Sequence, residues 1–200
     1  MEAKNLSASQ IKAEALRLGF SACGMAPAEP VNTAIADAFS RWQAQGMQAN
    51  MNYMGNYLDK RLDPRLLMEG VRTILSVALN YYPARQLRKD QYQFAWYAYG
   101  KDYHDLMKTR LTALQAYISA HSPLPLQSRV FCDTAPVLER YWAYRAGLGW
   151  IGKNTQLIIP HAGSCFFLGE LFLDMEVDEY DQPQKNRCGN CTRCIQACPT

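Results

Sequence analysis

RVFCDTAPVLERYWAYRAGLGWIGKNT, residues 129–155, is the stretch whose reading decides the fold. It runs strand, turn, helix, turn and strand in quick succession. Residues 129–132 form a short apolar strand, and Pro136 suits the first turn of a helix reaching about Ala146. The glycines Gly147, Gly149 and Gly152 have the spacing of a dinucleotide fingerprint, with Asp174 about 20 residues on. That fingerprint must follow a strand and open a helix, so that phosphate meets the helix N-terminus. Here a helical segment precedes the glycines and the extended LII follows them, so they read as a helix end turning into a strand.

Upstream, Ser7 and Gln10 have capping-box spacing, Ile11, Ala15 and Leu18 share one helical face, and Gly19 suits a left-handed C-cap. A second helix is expected over residues 33–45. Residues 47–67 carry Met47, Met51, Tyr53, Met54 and Tyr57, spaced for packing or for a recognition surface. TILSVAL, residues 73–79, reads as a buried strand ended by Asn80 and Pro83. After five aromatics within residues 91–99, Asp102 suits the cap of a helix whose Leu106, Leu111, Leu114 and Ile118 face the core. HSPLPLQS then links to the strand at 129. Downstream, residues 156–159 and 165–173 read as strands, and the polar DEYDQPQKNR, residues 178–187, as a linker. The fold class is mixed α/β (α+β), with a large domain over residues 1–178 and the start of a smaller module over 179–200.

Two hundred residues with 48% hydrophobic and 20% charged side chains exclude collagen, disordered and coiled-coil classes. No apolar run approaches the ~18 residues of a membrane span, and MEAKNLSASQ lacks the features of a signal peptide, so a cytoplasmic protein is expected. A net charge of +3 leaves the partner open, because phosphate binding needs basic residues gathered on one face.

Four of the seven cysteines, Cys188, Cys191, Cys194 and Cys198, fall within the last thirteen residues, with Pro199 after the fourth. Zinc sites usually split their ligands into well-separated pairs. The C-x2-C-x2-C-x3-C-P run matches instead the bacterial ferredoxin pattern, in which three thiolates serve one 4Fe-4S cluster and the fourth reaches another. The ligand set for two clusters is incomplete in this chain, which is expected to be an N-terminal portion. Asp133 sits between strand and helix, where α/β proteins place ligands and where aspartate also serves as a helix cap; both readings stand. Asp102-x-His104 begins a cobalamin histidine signature, but its glycine position is Met107, and a histidine on the helix surface is expected instead.

The blocks YGKDYHDLMKTRL, DTAPVLERYWAYRAGLGWIGKNT, GSCFFLGELFLD and CGNCTRCIQACPT occur here in an order that resembles the epoxyqueuosine reductase family. The resemblance covers roughly residues 7–200. It implies an oxidoreductase of queuosine tRNA modification, built from a cobalamin domain related to the reductive dehalogenases, a ferredoxin module with two 4Fe-4S clusters, and a helical-repeat domain that helps hold tRNA. It implies Asp133 as the proton donor beside cobalt. Trp96, Tyr97, Leu157 and Leu168 are implied corrinoid neighbours, with Lys153 and Asn154 on the same turn facing its amides or phosphate. Cobalamin would bind with its base detached and no protein ligand on cobalt. Epoxide reduction needs two electrons and two protons, so burial is expected to raise the pKa of Asp133 and keep it protonated. The implied partners are epoxyqueuosine tRNA and a flavodoxin- or ferredoxin-type donor, acting on a monomer. Two other classes stay open: a dehalogenase-like corrinoid reductase of a small molecule, and an electron-transfer module alone.

Overall fold

The computed structural model describes residues 6–88 and 90–199. Its centre is a four-stranded antiparallel sheet in the order β1-β2-β6-β3, formed by β1 (Ala22–Pro27), β2 (Thr73–Asn80), β3 (Ser128–Phe131) and β6 (Phe166–Leu173). A two-residue ladder joins β4 (Trp150–Ile151) to β5 (Leu157–Ile158). The remaining helices are α1 (Ala8–Arg17), α2 (Thr33–Ala44), α3 (Leu58–Leu62), α4 (Tyr103–His121), α5 (Glu139–Arg145) and α6 (Arg193–Gln196).

Side-chain alternation along the central strands divides the core in two. Leu75, Val77, Leu171 and Leu173 pack with Ile11 of α1 and Met107, Leu111, Leu114 and Ile118 of α4. Ile74, Ala78 and Phe172 point to the opposite face and pack with Tyr141, Trp142 and Ala143 of α5. The long apolar runs of β2 and β6 are thus strands covered on both faces, which is why they lack a polar alternation.

The first helix forms as its sequence dictates. The Ser7 hydroxyl accepts from the Gln10 amide, the Gln10 side chain accepts from the Ser7 amide, and Gly19 takes a φ of +88° just past the helix end. Asp102 caps α4 by accepting from the His104 amide. Within α4 the inward register differs from expectation: Leu106 is 40% exposed, and Met107 leads the buried set. Positions 107, 111, 114 and 118 keep the helical period, whereas 106 lies one residue off it.

The helix expected from Pro136 begins three residues later, at Glu139, with no side-chain cap. It ends near Ala146, and Gly147 follows at φ +74° before the chain turns into β4, so the glycine cluster is a helix end. β1 was hidden by its composition, ACGMAP, which is short of the branched residues that mark strands. Gly24 is required there, because a Cβ would stand 1.9 Å from the Ala146 carbonyl oxygen.

The polar segment after β6 is tied to the first core. Asp181 accepts from the Met25 amide at 2.8 Å and from Lys12 at 2.6 Å, and Asp178 accepts from the Ala8 amide at 2.7 Å. Among the described residues no helix is long and apolar enough to cross a membrane.

Candidate active site

Past the end of β3 the chain bends sharply through Asp133, which adopts a φ of +54°. Aspartate is one of the few L residues that tolerate this left-handed conformation. With α5 starting six residues on, Asp133 is no helix cap, and its side chain is turned to a cavity of about 230 Å³. Tyr103, Glu139, Leu157, Phe166 and Leu168 share the lining.

Three groups meet Asp133. The Tyr103 hydroxyl donates to its Oδ2. His104 Nε2 lies 3.8 Å from the same oxygen, while His104 Nδ1 is paired with Asp102 at 2.8 Å. The Asp133 amide donates to Glu139 Oε1 at 2.6 Å, which brings the two carboxyl groups close enough for their charges to interact. Asp133 keeps 46% of its side-chain surface open, so the expected burial is not present. The loop carries the carboxylate outward to the cavity, and behind it lie two further acids, one half-buried and one fully buried.

Those acids are Glu139 and Glu170. Burial, then the neighbouring charge of Asp133, pushes the Glu139 carboxyl up to about 8. Glu170 is fully buried on β6 and raised well above the carboxylate range, first by burial and then by Glu139 and Asp133. Like charges so close cannot all ionise, and the inner carboxyls hold their protons at neutral pH. Burial and the bond to Asp133 also raise the Tyr103 phenol, which stays a donor. Cys132, next in chain, is raised mainly by burial and remains a thiol, and Cys23 is pushed up to about 12 for the same reason.

Leu157 and Leu168 line the cavity as expected. Trp96 and Tyr97 are outside its lining, exposed on the preceding segment, with Trp96 edge-on to Tyr82 at 4.9 Å. Asn154 accepts from the Gln156 amide within its own turn. Lys153 faces the cysteine run: its Nζ donates to the carbonyls of Gly189 and Cys191 at 2.8 and 3.0 Å. The Cys188 sulfur accepts from Trp150 Nε1 at 3.5 Å, and this bond, with one from the Lys153 amide, lowers the pKa of its thiol. Cys191, Cys194 and Cys198 are exposed. Among the described residues no three His, Cys, Asp or Glu side chains converge to hold a metal ion.

Sequence reasoning passed over Tyr103, Glu139 and Glu170. Only Glu170 carries a local signal, being the sole charge within the apolar run FFLGELFL. The donor set still suits the groups implied by the sequence. N–H groups aimed at a thiolate sulfur are a feature of iron-sulfur sites. Phe166, Phe167 and Leu168, only partly buried where the rest of β6 is sealed, offer an apolar wall beside the acid that a flat macrocycle would cover.

Comparison with known proteins first gives the class. The fold is shared with reductases, among them a solved reductive dehalogenase at TM-score 0.54 and 16% identity, covering 98% of this chain and 23% of that one, a likeness of fold alone. It is far nearer a solved epoxyqueuosine reductase carrying a tRNA-Tyr epoxyqueuosine-modified stem loop, with TM-score 0.84 and 27% identity over 96% of this chain and 51% of that one. The epoxyqueuosine reductase of Cellulophaga algicola is 44% identical over 200 residues, all of this chain and 64% of that protein. A family model described as "Epoxyqueuosine reductase QueG, DUF1730" matches residues 61–134. Along its whole length the chain is similar to epoxyqueuosine reductases. It spans less than two thirds of the length of its curated relatives, 64% and 62% of the first two.

Proposed function

We propose that this chain carries the acid site of an oxidoreductase that reduces epoxyqueuosine in tRNA to queuosine. One observation carries the reading: Asp133 is held at φ +54° at the cavity mouth, with the Tyr103 hydroxyl on its carboxylate and the Glu139 carboxyl behind it. A strained conformation kept in place by three partners is a feature of functional sites.

Cobalamin, when bound, would supply low-potential two-electron chemistry, and 4Fe-4S clusters would deliver electrons singly. Leu157, Leu168 and the apolar start of β6 would hold the corrinoid, with Trp96 and Tyr97 nearby, and Cys188, Cys191, Cys194 and Cys198 would serve the clusters. Residues 1–178 then form the catalytic domain and 179–200 the beginning of the electron-delivery module, fed by a flavodoxin- or ferredoxin-type donor in the cytoplasm. The chain's own work is to position an acid. Asp133 presents a proton to the departing oxygen, Tyr103 fixes its rotamer, and the apolar wall limits water around it. A small-molecule substrate has less support, since the dehalogenase likeness is one of fold alone.

The test is Asp133→Asn introduced into the native gene. Asparagine keeps the size and tolerates the left-handed backbone but cannot donate the same proton. Epoxyqueuosine should accumulate in tRNA while queuosine falls by roughly 10²–10⁴-fold in initial rate. Unchanged queuosine with unchanged protein level would overturn the proposal.

A further inference from the structure

The acids behind Asp133 have no part in holding the fold that an apolar residue would not do better. Glu170 is 0% exposed, and neither of its side-chain oxygens has a hydrogen-bond partner. It lies opposite Ser76 of β2 and Phe131 of β3 in the sheet register, and the Ser76 hydroxyl is buried without a partner as well. Gly169 abuts Met107 and Leu111 of α4, so its neighbour Glu170 faces the other side of the sheet, where α5 packs. Glu139 opens α5 on that side and lines the same cavity as Asp133. Burying such a group without partners is costly, and cores rarely keep it without a use.

We propose that Glu139 is the proton store that recharges Asp133, with Glu170 as the buried carboxyl that keeps it in place. The inference rests on the reading of Asp133 as the delivering acid. At rest the proton sits on Glu139, whose Oε1 accepts from the Asp133 amide at 2.6 Å. During the reaction the Glu139 O–H bond breaks as an O–H bond forms on Asp133, and that bond breaks in turn as the departing oxygen takes the proton. Glu139 is left as the carboxylate and is reprotonated from solvent through the open face of Asp133. The reaction consumes two protons, so this cycle runs twice, and no electron moves in it.

The charged and titratable surroundings agree. Tyr103 and His104 face Asp133 from α4, Cys132 adjoins it on the loop after β3, Arg140 lines the cavity from α5, and the exposed Lys108 acts on Cys132. Arg140 is committed to the Thr155 carbonyl and His104 to Asp102. Among the described residues no cation forms an ion pair with Glu139 or Glu170, so nothing there draws the proton off. Their raised pKa values fit this arrangement.

Two arms test the proposal. In the first, infrared spectra of the purified chain are titrated from pH 6 to pH 9. The wild type should show protonated-carboxyl absorption of which one part disappears near pH 8. Glu139→Gln should remove that titrating part, and Glu170→Gln a part that persists. An identical carboxyl band in Glu139→Gln means that Glu139 is already ionised, and the proposal fails without reference to any activity. In the second arm, single-turnover reduction of epoxyqueuosine tRNA is followed against pH. Glu139→Gln preserves size and the bond accepted from the Asp133 amide, so it should fold normally, slow the reaction roughly 10²-fold and lose the limb near pH 8, with Glu139→Asp recovering part of the rate. A wild-type rate and profile in Glu139→Gln overturns the relay. Absence of turnover in the wild type counts against the proposed function instead, and the infrared arm then decides this inference alone.

Discussion

Tyr103 and Phe167 lie face to face, ring centroids 4.0 Å apart and 1° from parallel, and this stack aims the phenol at Asp133. His104 covers the other side of the Tyr103 ring at 4.1 Å. A ring clamped on both faces keeps one rotamer, so the carboxylate meets a donor that is already in place.

Tyr103→Phe should therefore separate the two roles of this residue. The stack survives and the donor is lost. A hydrogen bond to a charged group contributes about 1.5–3 kcal/mol, so turnover of epoxyqueuosine tRNA should slow by roughly ten- to a hundredfold with little change in thermal midpoint. Tyr103→Leu should lose stability as well. A wild-type rate in Tyr103→Phe would show that the phenol serves packing only.

Stability should fall as pH rises from about 5 to 8. The raised pKa values of Glu139 and Glu170 mean that the folded chain holds protons which the unfolded chain releases near pH 4.5. The folded state therefore binds more protons through this window, and its advantage is lost as pH climbs toward the folded values. The combined loss is on the order of a few kcal/mol. Carboxylates with lowered values, such as Asp63 and Asp102, act in acid, and Cys23 acts in base, so the window belongs to the two glutamates. Urea midpoints at pH 5 and pH 8 check this: Glu170→Gln should flatten the dependence, and parallel curves for the two proteins would refute it.

Cys188 should alkylate faster than Cys23 or Cys132. Its thiolate is favoured by hydrogen bonds from Trp150 and the Lys153 amide, whereas the other two are held as thiols by burial. Iodoacetamide labelling with peptide mapping at pH 7 gives the order. Trp150→Phe removes the side-chain donor and should slow labelling at Cys188 severalfold. An equal rate in that variant would mean the indole does not influence the sulfur.

Periodic and capped segments were legible in the sequence. Ser7 with Gln10, Asp102 as a cap, the glycines closing α5 and the apolar run of β2 each follow from a local rule that their neighbours obey. Asp133 was legible as a candidate but not as a choice between cap and acid, because that depends on φ and on where α5 begins. Glu139 and Glu170 were illegible for a different reason. They are 31 residues apart, and their charges interact only because the fold lays α5 on the face of β6 that carries Glu170. No spacing rule spans that distance. On α4 three of the four residues expected inward are buried, and Leu106 gives way to Met107, which keeps the helical period and packs against Gly169.

The turn between β4 and β5 is fastened on two sides, once by its own Lys153 and once by a side chain of α5. Lys153 grips the carbonyls of Gly189 and Cys191, and two residues on, the Thr155 carbonyl is gripped by Arg140, the neighbour of Glu139 in α5. On the proposed reading, the segment that would admit electrons and the helix that would store protons are thus fastened to the same short turn, so a shift of the cysteine loop would have only two hydrogen-bonded clasps to cross before reaching the acids.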